Sequence, residues 1–135
     1  MTLRISLKDG EKMIVNGAVL RAVGRTDLVV ENHAALMRGR EVMSPDEATT
    51  PARRLYFTCM IAYIGGEDGL AAQHDRIVDL LGDLMAAFEA EEAKAICARI
   101  AHRLATRDCY RALTECRALI AYEAEALARI DADAA

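Results

Sequence analysis

Both prolines of the chain lie within fourteen residues, Ser44 to Phe57, and this stretch separates two kinds of pattern. Before it, short apolar clusters are divided by glycines. After it no proline occurs, and apolar residues recur at helical spacing. Proline fixes φ and cannot donate a backbone hydrogen bond, so its absence leaves the second part open to helix throughout. Within the joint, Ser44-Pro45-Asp46-Glu47 fits a capping box, with Pro45 at the first helical position. Pro51 pushes Thr50 out of helical geometry, so this first turn is expected to be short. Thr50 is then placed to cap a helix running Ala52 to Ile64 and stopping at Gly65-Gly66. A buried strand is the alternative there, because Leu55-Tyr56-Phe57 and Met60-Ile61 are apolar on every side.

The first part reads as strands. Leu3-Arg4-Ile5-Ser6-Leu7 alternates apolar and polar residues. Lys8 to Glu11 reads as a turn, followed by Met13-Ile14-Val15 and then Asn16-Gly17, the strongest short hairpin signal. Ala18 to Val23, Leu28 to Glu31 and a last piece around Leu36-Met37-Arg38 follow, with Gly24-Arg25-Thr26-Asp27 as a further turn. Four or five short strands of this kind predict a meander, which needs the helices or a second copy of itself to cover its apolar face.

Beyond Leu70 the spacing is helical. Leu70, His74, Ile77, Leu81, Leu84 and Phe88 form one seam, which makes His74 a core histidine. Ile96, Ile100 and Leu104 continue the pattern, as do Leu113, Cys116, Ile120, Leu127 and Ile130. Helix boundaries fall near Glu89 to Glu92 and Thr106 to Asp108. The expected fold class is α+β: one domain over 1–135, a small antiparallel sheet to about residue 43, then three or four helices over 44–131.

Residues 1–54 carry nine Lys/Arg and seven Asp/Glu, a net of +2, whereas 55–135 carry eight and fourteen, a net of −6. An anionic partner would therefore meet the first part. The four cysteines, Cys59, Cys97, Cys109 and Cys116, form no CxxC pair, the opening residues lack the apolar run of a signal peptide, and Leu55 to Ile64 is too short to span a bilayer. These features point to a cytoplasmic protein with reduced thiols. No phosphate loop, H-E-x-x-H or nucleophile elbow is present, and only Thr58, Thr106 and Thr114 supply hydroxyls of the Ser/Thr type beyond Thr50, so an enzyme, cofactor or metal centre is not expected. His102, Cys109 and Cys116 recur at seven-residue intervals, about 10 Å apart on a continuous helix, too far apart to ligate one ion without a partner chain or a break in the helix.

The candidate binding set is basic: Lys8, Lys12, Arg21, Arg25, Arg38, Arg40, Arg53 and Arg54. Several sit at or beside expected turns, from which they reach phosphates, with Asn16, Asn32 and His33 as base contacts. The same residues also suit the solvated turns of any small sheet. Tyr56, Met60, Leu84 and Phe88 read as core, or as a surface for a partner helix.

Three blocks, Leu7-Lys8-Asp9-Gly10-Glu11-Lys12, Val15-Asn16-Gly17-Ala18-Val19-Leu20-Arg21 and Ala48 through Phe57, resemble the FlbT family, flagellum-biosynthesis repressors of alphaproteobacteria. The likeness covers roughly the first half. It implies post-transcriptional control: association with the 5′ untranslated region of flagellin messenger RNA, promoting decay or limiting translation, in concert with the small protein FlaF. A second, shorter likeness, Gly10 to Gly17 followed by Leu28-Val29-Val30-Glu31, is to carbon-storage-regulator proteins, small intertwined β dimers that bind RNA leaders. The resulting expectation is a non-enzymatic regulator of flagellin synthesis that binds a messenger leader through its first part. The rival is an adaptor or chaperone for flagellin or FlaF that uses the helical part.

Overall fold

The computed structural model describes residues 2–134. Five strands come first: β1 (Leu3–Leu7), β2 (Lys12–Val15), β3 (Ala18–Arg21), β4 (Thr26–Val30) and β5 (Leu36–Arg38). Two 3₁₀ turns, Gly39–Glu41 and Pro45–Glu47, lead into α1 (Pro51–Ile64). A third, Gly66–Asp68, precedes α2 (Gly69–Ala87), and α3 (Glu91–Ala105) and α4 (Cys109–Ala134) complete an α+β fold.

The strands do not form a meander. β1 pairs with β4, and β2 lies between β3 and β5, all antiparallel. Leu3 faces Val30 and Lys12 faces Arg21, so the numbers of facing residues add to the same total in both ladders. β1 and β2 are thus successive segments of one arm of a single long hairpin, and β3 and β4 of the other. Its tip is Asn16-Gly17, with φ of 48° and 86°, as a type I′ turn requires. The register continues between the ladders: Ala22 N–H donates to the Glu11 carbonyl at 2.9 Å, and Gly10 N–H to that of Ala22 at 2.8 Å. Gly24 N–H donates to Asp9 Oδ1 at 2.7 Å. The segments Lys8 to Glu11 and Gly24 to Asp27, expected to reverse the chain, are kinks facing each other across one ribbon. Gly10 and Gly24 each take positive φ, 80° and 77°, which serves a kink as well as a reversal. Local sequence cannot tell the two apart.

The kink lets the outer ladder cover one face of the inner one. Ile5 and Leu7 pack with Met13 and Ala22, forming a small core of their own. Ile14 and Met37 point the other way and join the main core between the helices. Buried on both faces, β2 reads as a continuous apolar run rather than an alternation.

α1 is the centre of the helical part, packed against α2 and α4, with α3 against α4. Ala52, Leu55, Tyr56, Thr58, Cys59, Met60 and Ala62 are all buried, so the helix is apolar around its circumference because it is surrounded. Gly69 is buried where α2 begins, and a Cβ there would strike the Ala62 carbonyl. Of the α2 seam, Ile77, Leu81 and Leu84 are buried and Leu70 and Phe88 half-buried. His74 is not a core histidine: its side chain is 66% exposed, with Nδ1 3.1 Å from Asp75 Oδ1. The seam touches the core at Leu70, leaves it at His74 and meets it again from Ile77 onward. Leu113, Cys116 and Leu119 bury one face of α4, whereas Leu127 and Ile130 are exposed. With 26 residues, α4 outruns the 15 of α3, and it is in its last turns that these apolar residues lie exposed.

The amide accounting at the start of α1 is complete. Pro51 has no N–H, Ala52 N–H donates to Glu123 Oε2 at 2.9 Å, Arg53 N–H to Thr50 Oγ1 at 3.2 Å and Arg54 N–H to the Thr50 carbonyl at 2.8 Å. No described helix is long and apolar enough to cross a membrane.

Candidate nucleic-acid interface

The long hairpin brings part of the basic set together. Lys12 and Arg21 stand directly opposite each other in the β2–β3 ladder, both exposed. Lys8 and Arg25 are the next positions after the facing pair Leu7 and Thr26. They line one recess with Arg38, about 490 Å³ in volume, at the kink. Like charges directly across a ladder repel, so the Lys12–Arg21 pair costs stability and is tolerated because water screens it.

The acidic residues of the recess are already engaged in shaping it. Asp9 accepts the Gly24 amide, and Glu11 Oε1 accepts the Lys8 N–H at 3.0 Å. Arg38 Nη2 donates to the Ser6 carbonyl at 2.9 Å and lies 3.9 Å from Glu11 Oε2, so this arginine also ties the two ladders together. Ser6 Oγ donates to Asp27 Oδ1 at 2.7 Å on the outer ladder.

A polar cluster fixes the segment that carries Arg38 and Arg40. Glu41 Oε2 accepts Tyr110 O–H at 2.7 Å and Arg117 Nη2 at 3.1 Å, while Oε1 accepts the Arg38 N–H at 3.3 Å. Tyr56 O–H donates to the Glu41 carbonyl at 2.7 Å and accepts from Arg117 at 3.2 Å, with the Arg117 guanidinium 5.6 Å from its ring centre. The hydrogen bond to the Glu41 carboxylate holds the Tyr110 phenol above its usual range, and burial does the same for Tyr56. Tyr63 O–H closes a second link, donating to the Leu36 carbonyl at 3.1 Å and accepting the Leu36 N–H at 2.9 Å.

The other candidates lie elsewhere. Arg40 is exposed in its 3₁₀ turn. Arg53 is half-buried, its Nη1 3.5 Å from the Glu47 carbonyl. Arg54 lines a separate recess with Phe57, Gln73 and Arg76. Asn16 is held by Ala35, accepting its N–H on Oδ1 at 2.9 Å, whereas Asn32 and His33 are exposed. Tyr56, Met60 and Leu84 are 3%, 3% and 2% exposed, so they build the core of this chain rather than a partner surface, and Phe88 packs edge-on against Tyr122 at 5.5 Å. His102 is exposed on α3, Cys109 half-buried, and Cys116 buried against Cys59, which raises the Cys116 thiol well above its ordinary range through their hydrogen bond and burial. Among the described residues no three His, Cys, Asp or Glu side chains are grouped to hold a metal.

Sequence reasoning passed over Glu41, Arg117 and Glu123. Glu123 left a signal, since it interrupts the apolar seam of α4 between Ile120 and Leu127. Glu41 and Arg117 left none, because their meeting depends on how α4 crosses the joint.

The family described as "Flagellar protein FlbT" matches residues 3–127. The chain is 37% identical over 131 residues to the probable flagellum biosynthesis repressor protein FlbT of a Caulobacter species, covering 96% of this chain and 99% of that one. It is 36% identical over 131 residues to the flagellum biosynthesis repressor protein FlbT of Caulobacter vibrioides, covering 96% and 92%. A probable repressor of the same name from Agrobacterium fabrum is 36% identical over 126 residues, covering 93% and 84%. No solved structure matches.

Proposed function

The chain belongs to the FlbT family of flagellar proteins, and on that premise we propose that it regulates flagellin synthesis by binding the 5′ untranslated region of flagellin messenger RNA through the kinked hairpin. The observation that carries the reading is the gathering of cations along one ribbon: Lys12 faces Arg21, and Lys8 and Arg25 line one recess with Arg38. Two facing cations that repel each other in the unbound protein both attract a phosphate placed between them. Their exposure lets a flexible single strand approach, and the sparse aromatic content favours backbone contacts over base stacking. Arg40, next along the chain from the recess, extends the surface. Arg53 and Arg54 stand on the helical side and serve the joint.

In this reading the protein acts as a regulator rather than a catalyst: occupying the leader limits translation or exposes the message to decay. The names of its relatives as flagellum biosynthesis repressors support that direction of control. FlaF or flagellin would be a second partner, meeting a surface other than Tyr56, Met60 and Leu84.

The test is binding of the purified protein to labelled flagellin leader RNA at two salt concentrations, with an unrelated RNA and flagellin as parallel ligands. Each phosphate contact in a single strand adds about 0.7 to the salt slope. Lys8→Ala with Arg25→Ala should lower that slope by roughly 1 to 1.5 and weaken binding. An unchanged slope and affinity in that variant would remove the hairpin from the interface. Capture of flagellin with no preference for the leader would replace RNA by protein as the ligand.

A further inference from the structure

We propose that β3 is the seam of a symmetric homodimer, in which the free edges of two copies pair antiparallel about Val19. β3 is bonded to β2 on one side and, among the described residues, to no strand on the other. All four of its residues are exposed, Val19 at 64% and Leu20 at 45%. It carries no proline and no bulge, and Arg21 is its only charge, so the usual protections of an edge strand are nearly absent.

The backbone fixes how such an edge can pair. Ala22 bonds to Glu11, just before β2, so by alternation Leu20 and Ala18 also turn their amides and carbonyls towards β2. Val19 and Arg21 turn theirs outward. A hydrogen-bonded antiparallel pair needs outward-facing residues on both strands, which leaves few twofold registers. Arg21 against the partner's Arg21 brings two guanidinium groups together. Val19 against the partner's Arg21 gains no countercharge.

Val19 against the partner's Val19 sets Arg21 opposite the partner's Gly17. That glycine rests on the end of α1: a Cβ added to it would lie 3.2 Å from the Ile64 carbonyl. An arginine side chain arriving there meets the negative end of the α1 dipole, followed by Glu67 and Asp68. Both are exposed and take part in no ion pair among the described residues. Having no Cβ, Gly17 puts no side chain of its own between the incoming arginine and that carbonyl. The complementary charge lies on this chain itself, so the occupant is a second copy.

The product is a continuous six-stranded sheet, β5-β2-β3 from each copy. Its seam is short, which puts the contact in the weak, reversible class that buries less than about 1,200 Å². The dimer stands independently of RNA binding, and it gives Arg21 a countercharge besides phosphate.

Sedimentation velocity of the whole protein, from about 1 µM to about 500 µM, reads the association directly. The wild type should pass from monomer to dimer within that range. Val19→Lys should remain monomeric with an unchanged melting temperature. Arg21→Glu should weaken association by about tenfold or more, and adding Glu67→Lys and Asp68→Lys to it should restore the dimer. A wild type that stays monomeric throughout, a Val19→Lys protein that dimerises like the wild type, or an Arg21→Glu protein of unchanged affinity overturns the proposal. Should Val19→Lys fail to fold, the Arg21→Glu protein and its charge swap decide.

Discussion

The Glu123 carboxylate accepts the backbone N–H of Ala52 at 2.9 Å, across 71 residues of sequence, at a site only 7% exposed. It completes the first turn of α1 from the opposite helix and puts a negative charge at that helix's positive end. Glu123→Ala leaves a buried amide unpaired and should lower stability by roughly 2 kcal/mol in urea unfolding. Glu123→Gln keeps an acceptor oxygen and should cost less. A loss within about 0.5 kcal/mol for Glu123→Ala would mean that water replaces the carboxylate.

Arg38 and Arg40 separate binding from stability. Arg40→Ala should weaken leader RNA binding several-fold, roughly the loss of one phosphate contact, and leave the melting temperature unchanged. Arg38→Ala removes the bond to the Ser6 carbonyl as well, so it should lower the melting temperature by a few degrees, corresponding to about 1 kcal/mol. Equal melting temperatures for the two variants would contradict the tie between the ladders.

Tyr63 titrates on the alkaline side. Burial raises its phenol above the ordinary 10.0, so the folded protein holds that proton more tightly than the unfolded chain. Its contribution is fully present below pH 10 and is lost as pH rises through the raised value. Denaturant unfolding between pH 9 and 11 should show this decline, and Tyr63→Phe should flatten it while lowering stability at neutral pH by roughly 1 kcal/mol. An identical alkaline slope in the variant would assign the decline to other groups.

Glu47 titrates on the acid side. The Ser44 amide and hydroxyl hold its carboxylate below the ordinary 4.5. The stabilisation is therefore present above that value and lost as pH falls through the lowered one. Glu47→Gln should show a shallower loss of stability on acidification than the wild type. Parallel acid limbs for the two proteins would exclude the cap as a source of pH dependence.

The joint was the most legible part of the sequence, because capping is local chemistry. Ser44 and Glu47, Thr50 and Pro51, and the stop at Gly65 each act within a few residues, and each appears where its residue type requires. The hairpin tip was legible for the same reason. Strand connectivity was not. A glycine-bearing kink and a glycine-bearing reversal have the same composition, and only the shared register of the two ladders distinguishes them. His74 shows the limit of periodicity, which gives the face of a helix but not which positions along that face the core covers. The basic set was legible as a list. That Lys12 faces Arg21, and that Lys8 and Arg25 share a recess with Arg38, followed only from the long hairpin. The pairings of Glu41 with Arg117 and of Ala52 with Glu123 join distant segments and required the tertiary fold.

Because every pair in the ribbon takes its register from Asn16-Gly17, the first thirty residues should tolerate length changes very unevenly. One residue inserted at that tip would shift one arm against the other and exchange inward and outward faces along the whole of it. Ile5, Leu7 and Met13 would then compete with Lys8 and Lys12 for the covered side. The same insertion between Ala22 and Arg25 would fall where the ladder is already interrupted and could be taken up as a larger loop. Natural insertions and deletions in this part of the chain should therefore gather at the kink and avoid the tip.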